Sequence, residues 1–531
     1  MPIETPPQIL EPSSPPAAPE DLTGHDRMVG NVLAGWVAHF AFIVAGFVMP
    51  RMMDRYLGQT ALGVWDFGWT LVAYFALVQG GVVASVNRYV AKYRAAGDAD
   101  GVNRAVSSVS CILGIMGIVV AVVTVAAMLI VPRLLSARLG DHVGDAKYVV
   151  LLLGLSAAGQ IAFAGFAGVI SGCHRWALRN AIEALSYLAT VAAMIVLLCL
   201  GGGLVGLALV TLVGEAVTWA VRGLIAYRVL PGLRVRLALA RWSEAQSMLA
   251  FGGKSFIIML AELVQGQTAS VLIISFLGAA PLALFSRPRS LVAQARTLLL
   301  KFTYVLGSTA SSVHAVGHKG ELRQLFLHAT RYGAYMALPM VLMLAILGGP
   351  LLLLWMGERY SLGLLLAVLA VGWLPSAIQE SVLSVLWGMN AHGRAGVAKL
   401  TAALCAIGLL VFVLGVLRWD LCGAALAIAL PLVIADGVYI PWYACRLLGV
   451  SIGQYIREAL LGPVACAVPF ALALVGARVV FADRPLVALA CGSLAGGAIL
   501  ALLYWRYALP HGIRKDLTRR FALLFRRPAP P

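Results

Sequence analysis

Charged residues are scarce in this sequence. Asp, Glu, Lys and Arg together make up 12% of the 531 residues, about half the roughly 25% that is usual in soluble proteins. Hydrophobic residues make up 61%, and the mean hydropathy is +0.90. Apolar runs of about 20 residues, each long enough to cross a hydrocarbon core, recur from Met28 to Leu509. The sequence therefore predicts an all-α integral membrane protein, because a spanning helix satisfies its own backbone hydrogen bonds.

The sequence also lacks the spaced motifs of metal sites and common enzymes. Its eight cysteines are scattered without CxxC spacing, which argues against a disulfide framework and a zinc site. The stretch "GGKS" (252–255) resembles a P-loop, but Met248 stands where the loop requires glycine. The stretch "DAD" (98–100) resembles a metal-binding carboxylate pair, but it lies in a short basic loop. We therefore predict a protein that is not an enzyme and has no metal or cofactor.

Acidic residues are outnumbered: there are 23 Asp and Glu against 40 Lys and Arg, a formal net charge of +17. A basic protein can bind nucleic acid, but these cations lie mostly in short loops between apolar runs. With the N-terminus in the cytoplasm, the predicted inside segments hold roughly three times as many Lys and Arg as the outside loops, as the positive-inside rule requires. The pattern predicts cytoplasmic N- and C-termini and no nucleic-acid partner.

The apolar runs predict about 14 transmembrane helices. We place them at 28–50, 62–87, 105–131, 147–171, 181–200, 204–227, 248–277, 282–311, 332–356, 361–389, 396–417, 420–445, 456–478 and 485–507. The Pro-rich N-terminus predicts disorder, and the basic C-terminus is expected to lie on anionic lipid headgroups. The predicted segments are a disordered cytoplasmic tail (1–27), an N-terminal six-helix lobe (28–228), a cytoplasmic linker (229–247), a C-terminal six-helix lobe (248–446), two extra helices (447–509) and a basic cytoplasmic tail (510–531).

An internal repeat supports the two lobes. The stretch "YLGQTALGVWDFGWTLVA" (56–73) aligns with "FLGAAPLALFSRPRSLVA" (276–293) at an offset of 220 residues. The loop "GCHRWALRN" (172–180) loosely matches "GMNAHGRAGVAK" (388–399). The predicted helices 1–6 therefore look duplicated as 7–12, with the same orientation in the membrane. Parallel repeats of this kind are typical of transporters whose two lobes rock about a central cleft.

The predicted helix 282–311 carries four cations, Arg287, Arg289, Arg296 and Lys301, and no acid. A cation at mid-bilayer costs roughly 3 kcal/mol on insertion scales, so such residues usually face protein or a water-filled cavity. Arg289 and Arg296 are seven residues apart and share a helical face, whereas Arg287 and Lys301 point roughly the other way. We expect Arg289 and Arg296 to line the cleft between the lobes.

The preceding predicted helix supplies one acid and one amide to this region. If the two helices form a hairpin, Glu262 lies at the depth of Arg296, and Gln265 lies near Gln294. A surplus of positive charge in a membrane cleft suits an anionic substrate, and the planar arginine fork suits a diphosphate. The alternative is that Arg296 only neutralises Glu262, while Arg287 and Arg289 reach to the outer interface.

Other acids also lie within the predicted helices. Glu215, Glu380 and Asp436 are deep, which makes each a candidate for proton or sodium coupling or, alternatively, a hydrogen-bonded packing residue. Asp66 and Glu183 lie near predicted helix ends, where we expect interface solvation rather than a functional role.

Three stretches resemble a known family. "LGVWDFGWTLVAYFALVQGGVVASVNRYVAKYRAAGD" (62–98), "LLLLWMGERY" (351–360) and "VLWGMNAHGRAG" (385–396) are similar to the bacterial polysaccharide exporters. These are the Wzx-type lipid-linked oligosaccharide flippases of the multidrug/oligosaccharidyl-lipid/polysaccharide (MOP) superfamily. The resemblance implies a two-lobe fold in the bacterial cytoplasmic (inner) membrane.

The resemblance also implies the activity: an undecaprenyl-diphosphate-linked oligosaccharide would be moved from the cytoplasmic to the periplasmic leaflet by alternating access. The implied partners are this lipid, the surrounding membrane lipids, a proton or sodium ion, and polysaccharide assembly proteins. Alternatives left open by the sequence are a lipid II-type flippase, a drug/cation antiporter of the same superfamily, a membrane polymerase or glycosyltransferase, and a non-transporting scaffold.

Overall fold

The computed structural model describes residues 28–79, 82–315, 319–508 and 514. Within these ranges the chain is almost entirely helical and contains no strand. The two predicted tails, 1–27 and 510–531, lie outside the described residues except for Arg514. The prediction of an all-α membrane protein is therefore confirmed.

The N-terminal half of the chain forms nine helices. They are α1 (Met28–Leu57), α2 (Gln59–Gln79), α3 (Val82–Ala95), α4 (Ala99–Leu134), α5 (Ser136–Leu139), α6 (Val143–Ala162), α7 (Ala164–Gly172), α8 (Trp176–Cys199) and α9 (Leu204–Val229). Short 3₁₀ turns lie at Gly140–His142 and Leu237–Leu239. The α6 and α7 segments form one membrane-length rod that is interrupted at Phe163.

The C-terminal half of the chain forms ten helices. They are α10 (Trp242–Phe276), α11 (Ala279–Ala315), α12 (Lys319–Met356), α13 (Gly363–Gly388), α14 (Gly393–Val411), α15 (Leu421–Ile434), α16 (Ile440–Leu448), α17 (Ile452–Tyr455), α18 (Leu461–Val480) and α19 (Pro485–Leu503). A 3₁₀ turn lies at Glu358–Tyr360. Wider π-helical turns occur at Phe412–Val416, Ala435–Tyr439, Ile456–Leu460 and Tyr504–Ala508.

Eleven helical segments of the described chain are long and apolar enough to cross a membrane. The helices α2, α10 and α11 are not among these eleven, although they pack inside the same bundle. The exact number of crossings stays a prediction. The structure moves several predicted boundaries, and the predicted helix 62–87 extends over both α2 and α3. The helix α10 begins at Trp242 and α12 begins at Lys319, each N-terminal to the start that hydrophobicity gave. Polar first turns extend both helices beyond their apolar segments, which a hydropathy criterion does not detect.

The two lobes repeat one packing pattern. In the N-terminal lobe, α4 packs on α6, α1 on α8, and α6 on α9; in the C-terminal lobe, α12 packs on α13, α10 on α14, and α13 on α15. The helices α18 and α19 pack on each other and on α12, outside this repeat. The duplication predicted from sequence is therefore present in the helix packing.

The turns repeat as well. Gly58 and Gly278 both have positive φ, and their carbonyl oxygens accept hydrogen bonds from Leu62 N and Leu282 N respectively. His174 and Asn390 adopt left-handed conformations, with φ angles of 56° and 54°, just after the ends of α7 and α13. Asn adopts a positive φ more readily than most residues. At both positions, backbone hydrogen bonds at the helix end stabilise the turn.

We name the two ends of the bundle by their turns: the Gly58 end, where α1 passes into α2, and the Gly97 end, where α3 passes into α4. Hydrogen bonds join the lobes at the Gly58 end. They run from Arg51 Nη1 to Leu354 O (2.7 Å), from Trp355 Nε1 to Phe47 O (2.6 Å), from Tyr360 Oη to Asp54 Oδ1 (2.6 Å) and from Gln59 Nε2 to Ala280 O (3.4 Å).

The helices α2 and α11 cross closely at the same end. A Cβ on Gly63 would lie 1.9 Å from the carbonyl oxygen of Ala279, so only glycine allows this approach. Since α2 and α11 are related by the repeat, this crossing marks the contact between equivalent helices of the two lobes.

Candidate functional site

The N-terminal lobe encloses a cavity of about 560 Å³, which we call the N-lobe cavity. Its walls come from α1, α2, α6, α7, α8 and α9, and Arg287 and Ser290 of α11 add a wall from the other lobe. The aromatic residues of the lining are Phe42, Trp65, Trp69 and Tyr187. A cavity of this size lies within the range of small-molecule sites.

An ion pair between the lobes forms part of this wall. The Arg287 guanidinium donates to both carboxylate oxygens of Asp66 on α2. The two side chains are 6% and 15% exposed. The expectation that Asp66 is solvated at the interface is therefore wrong: a cation from the other lobe neutralises it.

A second charged cluster lies on α8 and α9. Glu183 Oε1 accepts from Arg179 Nε at 3.2 Å and from Arg222 Nη2 at 3.1 Å. Glu215 Oε2 is buried in the same cavity without a hydrogen bond of standard geometry, and the Trp219 indole N–H and the Arg222 guanidinium act on its carboxylate. The N-lobe cavity thus holds three arginines and three carboxylates, a formal balance of zero.

A smaller cavity of about 210 Å³ lies in the C-terminal lobe, and we call it the C-lobe cavity. It lies among α10, α11, α13 and α15, the repeat counterparts of α1, α2, α6–α7 and α9. Arg289 and Arg296 both line it, as their seven-residue spacing predicts. The position differs from the expected one, because the cavity lies among helices of one lobe rather than between two lobes.

The two arginines of the C-lobe cavity are neutralised unequally. Arg296 Nε lies 3.4 Å from Glu380 Oε1 on α13. Arg289 Nη1 donates to the buried Ser270 Oγ at 2.7 Å. Of the described carboxylates, none lies within 4.0 Å of the Arg289 guanidinium. Arg289 is therefore a cation held by a neutral partner in a membrane-embedded cavity.

The third predicted acid lies behind this cavity. Asp436 is fully buried in the π-helical turn Ala435–Tyr439, where Ser376 Oγ donates to its Oδ2. Lys399 Nζ lies 3.9 Å from Asp436 Oδ1. Ser376 also lines the C-lobe cavity, so one hydroxyl connects the carboxylate to the arginine site. The π-helical turns of membrane helices are frequent at functional positions.

The fourth cation of α11 faces the N-terminal lobe. Lys301 Nζ lies 4.5 Å from the centroid of the Trp36 ring on α1, a cation–π contact. Lys301 thus shares the N-terminal-lobe side of α11 with Arg287, opposite Arg289 and Arg296. The side chains of Glu262 and Gln265 lie outside the described residues, so the predicted Glu262–Arg296 pairing stays a prediction.

Sequence reasoning missed the charges on α8 and α9. From sequence, Arg179 and Arg222 had no role beyond the count of cytoplasmic-side cations, but Arg222 is 9% exposed within α9 and both cations contact Glu183. Two signals were available: the i, i+4 spacing of Arg179 and Glu183, and the seven-residue spacing of Glu215 and Arg222, which places both on one helical face.

Known proteins share this sequence pattern and fold. The profile of the family described as "Polysaccharide biosynthesis protein" matches residues 98–362. The membrane protein EpsK of Bacillus subtilis, described as uncharacterized, is 21% identical over 449 residues, which cover 81% of this chain and 85% of EpsK.

Two solved structures are similar along most of their length. One is the lipid II flippase MurJ in an inward closed conformation, with a TM-score of 0.68, 13% identity, and coverage of 89% of this chain and 99% of MurJ. The other is an inward-facing multidrug resistance MATE family transporter of the MOP superfamily, with a TM-score of 0.65, 15% identity, and coverage of 78% and 94%. The chain has the MOP superfamily fold, and its resemblance to polysaccharide exporters is confirmed.

Proposed function

We propose that this membrane protein of the MOP fold flips an undecaprenyl-diphosphate-linked oligosaccharide from the cytoplasmic to the periplasmic leaflet by alternating access. The observation that carries the proposal is Arg289, a half-buried cation that lines the C-lobe cavity with Arg296 and has no carboxylate partner among the described residues. A guanidinium whose described partner is a hydroxyl retains donors for an anion, and two arginines can bind the oxygens of a diphosphate together.

The transport step requires no bond cleavage. The polyprenyl chain stays in lipid while the head group moves through the protein, so binding and lobe movement are sufficient. Since the loops at the Gly97 end carry most of the cations, we assign that end to the cytoplasmic side of the inner membrane.

The match to polysaccharide biosynthesis proteins and the MOP fold support this activity over a membrane polymerase or a scaffold. Glu380 and Asp436, each within 4.0 Å of a cation, are candidates for coupling transport to a proton or sodium ion. Either ion could act by neutralising a carboxylate and releasing the paired cation.

A drug or cation antiporter is the second candidate function. Glu215 favours it, because a carboxylate oxygen without a described partner lies in an aromatic-lined cavity where a cation could bind. The other two carboxylates of that cavity are occupied by arginines, which leaves little net attraction for a cation.

The experiment is a flipping assay in proteoliposomes. A fluorescent undecaprenyl-diphosphate oligosaccharide is placed in one leaflet, and an impermeant reagent quenches the molecules that reach the other. We expect wild type to flip the lipid, Arg289→Ala to lose about tenfold or more of the rate, and Arg289→Lys to fall between them, since lysine keeps the charge but not the fork. The matched control is Arg359→Ala, an exposed arginine outside both cavities. Equal rates for wild type and a folded Arg289→Ala variant would show that the anion site lies elsewhere.

A further inference from the structure

The helix α11 lines both cavities, through two residues that are two positions apart. Arg287 of α11 lines the N-lobe cavity, and Arg289 lines the C-lobe cavity. Residues two apart on a helix are separated by about 3 Å along the axis and point to different sides. A head group bound at Arg289 therefore lies close to the part of α11 that lines the N-lobe cavity.

The lining of the N-lobe cavity is unlike that of an anion site. Its three arginines are balanced by three carboxylates, and two of these arginines already pair with Glu183. A free phosphate would have to displace a carboxylate from an arginine, which costs most of what the phosphate contact gains. The balance of charge therefore favours a neutral ligand.

Aromatic faces and hydrogen-bonding groups alternate around this cavity. Trp69 and Tyr187 are 41% and 36% exposed, and Trp69 contacts Trp65 edge-to-face with ring centroids 6.2 Å apart. Glu215 Oε2 and Arg222 Nε are buried without a described hydrogen-bond partner. Two buried polar atoms without a described hydrogen-bond partner, in a lining that also contains aromatic rings, fit a ligand with hydroxyl groups and an apolar face.

A sugar ring has both properties: its C–H face can lie on an aromatic ring while its hydroxyl groups donate and accept hydrogen bonds at the edge. We propose that the N-lobe cavity is the saccharide-binding site, which recognises the neutral sugars next to the diphosphate, with Trp69 and Tyr187 as stacking residues and Glu215 and Arg222 as hydroxyl partners. This inference rests on the proposed function and adds to it the place where glycan specificity is determined.

The two cavities then bind different parts of the same head group, and their charge and volume explain which part each one binds. The C-lobe cavity, at about 210 Å³, has in Arg289 a cation whose described partner is a neutral hydroxyl, and it takes the diphosphate common to all such lipids. The N-lobe cavity, at about 560 Å³, is charge-balanced and takes the variable glycan. The Asp66–Arg287 pair lies in the lining of the N-lobe cavity, two residues along α11 from Arg289, and adds no net charge there.

The test compares two lipids that differ only in the sugar. The dissociation constant of the purified protein is measured for undecaprenyl diphosphate and for the undecaprenyl-diphosphate oligosaccharide extracted from the cells that supply the gene. The variants are Trp69→Ala, Glu215→Gln and Arg289→Ala. The matched control is Trp419→Ala, a tryptophan that is 51% exposed outside both charged cavities. Thermal unfolding in detergent confirms that each variant is folded, and Glu215→Gln, which conserves shape, serves if Trp69→Ala does not fold.

We expect Trp69→Ala and Glu215→Gln to weaken binding of the glycosylated lipid about tenfold and to change binding of the bare diphosphate lipid less than about twofold. Arg289→Ala should weaken both lipids alike. Equal losses for the two lipids in the cavity variants, or no loss for either, would overturn the assignment of the saccharide site. Failure of wild type to bind either lipid would instead overturn the proposed function.

Discussion

The two cavities lie among helices that the internal repeat relates, yet their charges are arranged in opposite ways. In the N-lobe cavity every arginine of the lining contacts a carboxylate, whereas in the C-lobe cavity Arg289 contacts a serine hydroxyl and no carboxylate among the described residues. The repeat places equivalent helices around both cavities, but the described lining is neutral in the N-lobe cavity and carries two arginines and no acid in the C-lobe cavity. This difference shows how a duplicated fold can acquire two binding chemistries, since function depends on the site rather than on the fold.

The largest effect is expected at the wall that the two cavities share. Replacing Arg287 by Ala leaves Asp66 as a buried charge without its partner, which should destabilise the folded protein by about 3–5 kcal/mol. The measurement is unfolding in detergent, followed by tryptophan fluorescence. The double variant Asp66→Asn, Arg287→Gln is the control, because it removes both charges and should be less damaging than Arg287→Ala alone. A single variant as stable as wild type would mean that Asp66 is solvated after all.

The second prediction tests whether the paired charges of the N-lobe cavity stabilise the folded protein. Glu183→Gln removes the carboxylate that Arg179 and Arg222 share, so we expect a loss of roughly 1.5–3 kcal/mol in the free energy of unfolding. Glu358→Gln, at an exposed carboxylate, should change stability by less than about 0.5 kcal/mol. Identical behaviour of the two variants would show that the Glu183 cluster is not structural.

The third prediction concerns a substitution that increases the difference in charge between the two cavities. Glu380→Gln removes the carboxylate that lies 3.4 Å from Arg296 and so lowers the negative charge beside the C-lobe cavity. Binding of undecaprenyl diphosphate should tighten by about two- to tenfold, because the phosphate no longer competes with Glu380 for the guanidinium. Glu358→Gln again serves as control. Weaker binding would mean that Glu380 holds Arg296 in its binding position.

The smallest effect is expected for the stability of Glu215→Gln. Glu215 Oε2 has no described hydrogen-bond partner to lose, so the free energy of unfolding should change by less than about 1 kcal/mol. Thermal unfolding in detergent gives the comparison with Glu183→Gln, which lies in the same cavity. A loss as large as that of Glu183→Gln would make Glu215 a packing residue rather than a ligand-binding one.

Much of the fold was predictable because it depends on hydrophobic length and repetition. The apolar runs predicted the helical class, and the Leu-Gly turns at Gly58 and Gly278 predicted the duplication that the packing repeats. The polar first turns of α10 and α12 were not predicted, since hydropathy detects only the part of a helix that lies in lipid.

The candidate site was predictable only in part. Heptad spacing was enough to place Arg289 and Arg296 on one face, because both lie on the same helix. Pairing between helices was not predictable: the partners of Arg287 and Arg296 are Asp66 and Glu380, which are distant in sequence. Such pairs depend on how the lobes pack, and a single sequence carries no direct signal of that.

One measurement tests directly whether the protein moves an anionic head group. Proteoliposomes containing wild-type protein receive, in parallel, a fluorescent undecaprenyl-diphosphate oligosaccharide and a fluorescent lipophilic cation, with and without an imposed proton or sodium gradient. Our account predicts that the diphosphate-linked lipid crosses the bilayer faster than in protein-free liposomes and that the cation does not. Accelerated movement of the cation, with no movement of the lipid under any gradient, would contradict it and favour a cation antiporter.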